Sequence, residues 1–194
     1  MSRPADILPT GILIAILGAG RASRFGADKL NQPCAGKPLG QWSLEAARTV
    51  GSPVMWIAGD AAPSFVDCEV ALNLHAAQGI GTSVALAARC AAARDASALV
   101  ILLADMPLVS VALIARLIAT GAPAACRYPQ GHAGVPALVP ASAFAQLQRL
   151  TGDHGAGAVL RDLPCLTLLD CVPAELFDVD TPQALAKAER LLLR

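Results

Sequence analysis

Phosphate-binding residue types are concentrated in one segment of the chain, residues 17–29, which reads LGAGRASRFGADK. Its glycines are Gly18, Gly20 and Gly26, and its cations are Arg21, Arg24 and Lys29. Glycine lets the backbone turn tightly and approach a ligand without a side chain in the way. Free backbone N–H groups flanked by cations bind phosphate oxygens, so this segment predicts a nucleotide phosphate site. A solvated surface loop is the alternative interpretation.

Two carboxylates elsewhere in the chain are suited to a metal ion. Asp105 follows an apolar run, and Asp180 lies just before a predicted helix. Mg²⁺ takes oxygen ligands and bridges substrate phosphates, so both residues are predicted Mg²⁺ ligands. Each also has a simpler explanation, because Asp105 can open a turn before Pro107 and either Asp180 or Thr181 can cap the helix.

Three further loops are rich in glycine. Residues 79–83, GIGTS, open a predicted helix whose free N–H groups could bind a base edge or a phosphate, although N-capping by Thr82 or Ser83 explains the pattern equally well. His132 and His154 lie in the other two loops, where a lone histidine is more often a solvated side chain than a proton donor. A Ser/His/Asp arrangement or a nucleophilic cysteine does not stand out.

These residues need a framework that brings them together. Apolar runs predict strands at 12–17, 53–58, 69–73, 98–104, 123–127, 135–139 and 166–170, and longer periodic segments predict helices at 39–50, 82–94, 109–120, 141–150, 155–162 and 181–193. The alternation predicts a three-layer α/β/α, Rossmann-like fold with a mostly parallel central sheet. Ligands of such sheets bind beyond the carboxyl ends of the strands, where both the glycine loop and Asp105 are placed. Residues 11–194 are predicted to form a single domain, preceded by a flexible lead-in at 1–10.

Composition excludes several classes of function. The chain has 15 basic and 15 acidic residues, so there is no global field that would attract nucleic acid or an anionic membrane. The apolar stretch 96–125 is interrupted by Asp105 and Arg116, which argues against a membrane span. Six cysteines without a C-x-x-C pair predict a reducing cytoplasm, the alternative being a secreted, disulfide-bonded chain.

The glycine loop does not fit the two best-known nucleotide motifs. It lacks the G-x-x-x-x-G-K-[ST] pattern of a Walker loop, and Ser23 stands where the dinucleotide fingerprint requires Gly or Ala. The long excursion between Gly20 and Lys29 favours a loop that wraps a triphosphate.

Three motifs in this order resemble those of the MobA-like nucleotidyltransferases, which mature the molybdenum cofactor. That family reads L-A-[AG]-G-x-S-x-R-[MF]-G-x-x-K, then L-x-D-x-P, then D-[VI]-[DN]-T-P, which correspond here to residues 17–29, 103–107 and 178–182. The resemblance covers essentially the whole chain. Ala19, between two glycines, is similar to the cytidylyltransferase branch, whereas the guanylyl branch has two adjacent glycines. Two departures are Gly18 in place of alanine, and Gly157 in place of the arginine of G-D-x-G-A-R, whose charge Arg161 could replace one turn onward.

The resemblance implies a Mg²⁺-dependent transfer of CMP from CTP to the terminal phosphate of molybdopterin, with release of pyrophosphate. It implies that Arg24, Lys29 and Asp105 are catalytic, that Asp105 and Asp180 hold Mg²⁺, and that a molybdoenzyme or its chaperone is a possible partner. The implied nucleotide-binding residues are Leu17, Gly18, Ala19, Gly20, Arg21, Ser23, Asn73, Thr82 and Ser83. Alternatives are a nucleotidyltransferase that uses GTP or another NTP and a different phosphate acceptor, an NAD(P)-dependent oxidoreductase, and a non-catalytic pterin carrier.

Overall fold

A seven-stranded sheet forms the centre of the molecule. The computed structural model describes residues 11–20 and 29–194. The strands are β1 Ile12–Leu17, β2 Pro33–Cys34, β3 Lys37–Pro38, β4 Val54–Ala58, β5 Glu69–Leu72, β6 Ala98–Leu103, β7 Ala124–Arg127, β8 Ala133–Pro140 and β9 Thr167–Asp170. The order in the sheet is β5-β4-β1-β6-β8-β7-β9, while β2 and β3 form a separate hairpin. Within the large sheet only β8 runs antiparallel to its neighbours, which confirms the predicted mostly parallel sheet.

Helices cover both faces of this sheet. They are α1 Leu39–Thr49, α2 Ile80–Ala92, α3 Val111–Thr120, α4 Phe144–Leu147, α5 Gly157–Leu160 and α6 Pro182–Leu192. Apolar residues of α1 and α3 pack on one face, and those of α2, α4 and α5 pack on the other. The central strands β1 and β6 are therefore covered on both sides, which explains why their sequences are apolar without alternation. The architecture is the predicted three-layer α/β/α fold.

The last helix packs away from the main layers, against the β2–β3 hairpin. Val179, just before α6, and Ala188 within it form a small buried cluster with Cys34 and Leu39. The Ala35 N–H also donates to Glu189 Oε1 at 3.1 Å. Because Lys29 begins the short turn that leads into this hairpin, the packing brings the C-terminal segment next to Lys29.

Two predicted helices are much shorter than their sequence patterns indicated. Residues 141–143 form a 3₁₀ turn and only 144–147 are α-helical, while the predicted helix 155–162 is reduced to α5, residues 157–160. The glycines at 152, 155 and 157 lie between and within these segments, and glycine weakens a helix. Within residues 11–20 and 29–194, every helix is too short or too polar to cross a bilayer.

Candidate active site

Lys29 lies between the two carboxylates that were predicted to bind metal. Its Nζ donates to Asp105 Oδ2 at 2.7 Å and to Asp180 Oδ1 at 3.2 Å. The Lys29 side chain is only 11% exposed, compared with 22% for Asp105 and 56% for Asp180. Three residues from three separate motifs, 76 and 151 positions apart, therefore meet at one point on the carboxyl edge of the sheet.

Backbone contacts fix the two aspartates relative to each other. The Val179 N–H donates to the carbonyl of Asp105 at 3.0 Å, which joins residues 178–182 directly to residues 103–107. Val179 is fully buried. The Thr181 hydroxyl accepts the Ala184 N–H at 3.1 Å and so caps α6, which leaves the Asp180 carboxylate available for Lys29 or a ligand.

The charges in this cluster perturb one another. Burial alone would lower the pKa of Lys29, but attraction to Asp105 and Asp180 outweighs it and raises the pKa above its ordinary value. Burial, together with the negative charges of Asp180 and Asp105, raises the pKa of Asp178. The net result is a persistent ammonium surrounded by excess negative charge, a place that favours a further cation.

The donor set fits a divalent metal that shares its coordination with a substrate. Within the described ranges, no group of three or more His, Cys, Asp or Glu side chains could hold a metal ion by itself. Mg²⁺, however, commonly takes only one or two carboxylates from a protein, and phosphate oxygens and water complete its coordination shell. Asp105 and Asp180 are the residues that would hold it.

The glycine segment begins beside this cluster. The Leu17 carbonyl accepts the Ala104 N–H at 3.1 Å, and the Gly18 N–H donates to Ile57 O at 2.9 Å. The predicted nucleotide-binding residues 17–20 therefore lie at the ends of β1, β4 and β6. The predictions for Arg21, Ser23 and Arg24 fall on residues outside the described part of the chain, as does the predicted lead-in at 1–10.

The departure from the family pattern at Gly18 has a structural explanation in Trp56. A Cβ at position 18 would lie 2.5 Å from the Trp56 ring, which is completely buried in the sheet. On its other side the indole meets Gly40 and packs edge-on against Phe65, with ring centroids 5.7 Å apart. The large side chain at 56 therefore requires glycine at 18.

This pairing makes a testable prediction about stability. Gly18→Ala should destabilise the fold by about 1–3 kcal/mol, because the methyl group overpacks a ring that is completely buried. Gly20→Ala is the matched control, since a Cβ there meets nothing within 4 Å among residues 11–20 and 29–194. Urea unfolding of both variants measures the difference. Equal stability of the two variants would contradict the proposed clash.

A cavity of about 270 Å³ adjoins the glycine segment on the β4–β5 side. Its lining includes Gly18, Ala19 and Gly20 together with Asp60 and Asn73. The Asn73 N–H donates to Ala58 O at 2.8 Å, which closes the cavity against the end of β4. Its position beside the predicted phosphate loop and its size suit a nucleoside.

Asn73, Thr82 and Ser83, all predicted to bind the nucleotide, are brought together in a buried network. Asn73 Nδ2 donates to Thr82 Oγ1 and to Ser83 Oγ, each at 2.9 Å. The three side chains are at most 7% exposed. Neither hydroxyl accepts a hydrogen bond from a backbone N–H at the start of α2, so the explanation that they cap this helix was wrong. The network instead fixes the start of α2 against the end of β5, beneath the cavity.

A second cavity, of about 370 Å³, lies on the opposite side of Leu17 and Leu103. Tyr128 and His132 stack there, with centroids 5.1 Å apart, and Arg161 and His154 also line it. Burial, reinforced by nearby negative charge, raises the pKa of Tyr128 to about 12, so its hydroxyl stays protonated and donates to Val135 O at 2.8 Å.

The glycine loops at 79–83 and 152–157 contact each other beside the 370 Å³ cavity. The Gly81 N–H donates to Gly152 O at 2.9 Å, and a Cβ on Gly79 would lie 2.3 Å from the Gly152 backbone. Gly79 also has a φ of 110°, which favours glycine. Sequence reasoning did not detect this contact, although two glycine loops far apart in the chain were a usable signal.

The fold and the residues at the carboxyl edge of its sheet define the class of protein: an enzyme that transfers a nucleotidyl group from an NTP. Residues 14–167 match the model of the MobA-like NTP transferase domain, so the chain belongs to this family. Enzymes of the family generally use a divalent metal. The match sets aside the oxidoreductase alternative.

Three relatives give the scale of the similarity. The purine catabolism protein PucB of Bacillus subtilis strain 168 is 32% identical over 189 residues, covering 86% of this chain and 90% of that protein. A molybdenum cofactor guanylyltransferase of Xanthomonas euvesicatoria is 33% identical over 110 residues, or 57% of this chain and 53% of that one. The crystal structure of Rv0371c from Mycobacterium tuberculosis H37Rv superimposes with a TM-score of 0.74 at 27% identity, covering 93% and 98% of the two chains. A manganese complex of Rv0371c gives a TM-score of 0.72 at 26% identity over the same shares.

Proposed function

We propose that this protein transfers CMP from CTP to the terminal phosphate of molybdopterin and releases pyrophosphate, with Mg²⁺ as its metal, in the cytoplasm. The observation that carries the proposal is the position of Lys29 between Asp105 and Asp180, beside the glycine segment. Relatives support parts of it: one is a molybdenum cofactor guanylyltransferase, and Rv0371c has been crystallised with manganese. All six cysteines are free, as a reducing compartment requires.

Lys29 has two binding partners in this reaction. Its ammonium forms ion pairs with Asp105 and Asp180. Asp105 and Asp180 would hold the metal ion, and Lys29, displaced from them by like-charge repulsion, would contact the triphosphate oxygens. There it stabilises the negative charge that develops on pyrophosphate as the bond to the α-phosphorus breaks. Bound Mg²⁺ supplies further neutralisation of the phosphate oxygens.

The acceptor needs alignment rather than activation. A phosphate monoester is already anionic at neutral pH, so no general base is required, and positioning makes the main contribution. We assign the acceptor to the 370 Å³ cavity because it begins at Leu17 and Leu103, next to Asp105. The stacked pair Tyr128–His132 offers an aromatic surface for a planar ring, and Arg161 offers a charge for the phosphate.

The identity of the nucleotide's base has less support than the type of reaction. Ala19 favours CTP, whereas the guanylyltransferase relative makes GTP the second candidate. The full chain should be incubated with molybdopterin, Mg²⁺ and each of CTP, GTP, UTP and ATP, with pyrophosphate and the mass of the product measured. We expect release with CTP and a product enlarged by CMP. Turnover with GTP and with none of the other nucleotides would reject CTP as the substrate. A chain that binds the pterin but releases no pyrophosphate with any NTP would be a carrier.

Arg161 should determine affinity for the acceptor. Arg161→Ala is expected to raise the KM for molybdopterin about 10- to 100-fold with little change in the KM for CTP, because one charged hydrogen bond to phosphate is lost. A Cβ at Gly157 makes only an ordinary contact, 3.5 Å from Ala133 O, so this position accepts a side chain at its Cβ. Gly157→Arg in the Arg161→Ala background should restore part of the affinity. An unchanged acceptor KM in Arg161→Ala would remove this residue from the acceptor site.

A further inference from the structure

The polar side chains that line the 270 Å³ cavity differ in what they can still bind. Both donors of Asn73 are used, by Thr82 Oγ1 and Ser83 Oγ, and its carbonyl accepts the His75 N–H at 3.0 Å. Asn73 therefore has no N–H group left for a ligand. It positions the wall of the cavity but cannot donate to a base.

Asp60 is different. This residue lines the same cavity and is exposed, and its carboxylate has no hydrogen bond or ion pair within residues 11–20 and 29–194. It lies one residue after Gly59, whose Cβ position is 3.8 Å from the carbonyl of Ala19. The carboxylate is thus at the end of β4, next to the part of the glycine segment that we expect to hold the nucleotide.

Among the residues that the structure describes, the side chains that line this cavity therefore offer acceptors and no free donors. An ionised carboxylate only accepts hydrogen bonds, and the other described lining residues are glycine, alanine or leucine apart from Asn73. A base with an amino group at this edge finds a partner, whereas a base with a carbonyl oxygen there meets a negative charge. Cytosine and uracil differ in this way, since C4 carries an amino group in cytosine and an oxygen in uracil.

We propose that Asp60 reads the base, accepting a hydrogen bond from the exocyclic amine of CTP and so selecting CTP over UTP. The inference rests on the proposed function for the identity of the nucleotide. It adds the side chain that discriminates, a residue that none of the three family motifs contains. A hydrogen bond to a charged group corresponds to about 10- to 100-fold in affinity, which sets the size of the expected selection.

Asp60→Asn is the sharpest test, because it keeps the size of the side chain while replacing an acceptor with a group that can also donate. Calorimetric Kd values for CTP and UTP in the presence of Mg²⁺, together with kcat and KM, should be measured for the wild type and the variant. We expect the wild type to bind CTP about 10- to 100-fold more tightly than UTP, and the variant to lose at least most of this ratio. The change should fall on Kd and KM rather than on kcat.

Asp95→Asn is the control. Asp95 is exposed and lies in a left-handed turn after α2, a conformation that asparagine tolerates. It precedes β6, near the opposite edge of the sheet, so the substitution removes the same charge without affecting the cavity. An unchanged CTP/UTP ratio in Asp60→Asn, or equal binding of the two nucleotides by the wild type, would overturn the inference. Turnover with CTP and an unaltered ratio would reject Asp60 alone. Selective CTP binding that depends on Asp60, without pyrophosphate release, would reject the proposed reaction alone.

Discussion

Lys29→Met is expected to lower kcat/KM for the nucleotide by about 10²- to 10³-fold while leaving the fold intact. The substitution keeps the length of the side chain but removes the ammonium that we place on the leaving pyrophosphate. Loss of one preorganised charge at a developing anion typically has an effect of this size. Initial rates of pyrophosphate release, with the melting temperature as a check on folding, measure it.

The same variant should bind metal more tightly in the absence of nucleotide. In the wild type, the Lys29 ammonium contacts both Asp105 and Asp180 and competes with any metal ion for their oxygens. Removing it should lower the Kd of Mn²⁺, followed by paramagnetic resonance, even though turnover falls. Lys187→Met is the control, because it removes an equal charge outside the cluster. Lys187 lies over the ring of Phe177, with its Nζ 4.6 Å from the ring centroid. A Lys29→Met enzyme with near-normal kcat/KM would exclude the assigned role.

This cluster shows what the sequence could predict and what it could not. Asp105 follows a strand whose apolar residues predict burial, and parallel strands end at a common edge, so its approximate position was accessible from the sequence. That Lys29 would contact both aspartates was not, since the residues are 76 and 151 positions apart and meet only after α6 packs on the β2–β3 hairpin. The choice between Asp180 and Thr181 as the helix cap also required the structure, because both residue types suit that position.

Close packing was the second thing that the sequence could not reveal. Gly18 was recognised as a departure from the family pattern, but its cause is Trp56, on the neighbouring strand. The interlocked glycines Gly79 and Gly152 are similar: each reads locally as a flexible loop, and together they form a backbone-to-backbone contact without room for a Cβ. The direction of β8 depends on a short loop, since the residues between β7 and β8 are too few for a parallel crossover. Such features depend on neighbours that a local pattern does not contain.

Asp105→Asn should have the largest effect of any single substitution in this site, a loss of about 10³-fold or more in kcat. The amide keeps the shape of the side chain but removes the charge that would hold Mg²⁺ against the triphosphate. Asp180→Asn should cost less, because Asp180 is 56% exposed and 3.2 Å from Lys29, whereas Asp105 is 22% exposed and 2.7 Å away. Water screens the more exposed carboxylate and weakens its hold on a cation.

The comparison of these two variants separates metal binding from a merely structural role. If Asp105 binds metal, Asp105→Asn should raise the Kd of Mn²⁺ in the presence of CTP, and higher metal concentration should recover part of the activity. Both readouts should shift less in Asp180→Asn. If Asp105 only orders the turn before Pro107, the variant should lose stability in urea and show the same dependence on metal concentration as the wild type. The backbone carbonyl of Asp105, which accepts the Val179 N–H, is unaffected by the substitution, so the segment that carries Asp180 should remain in place. A variant that folds normally, keeps the wild-type kcat and binds Mn²⁺ with an unchanged Kd would therefore remove Asp105 from the metal site.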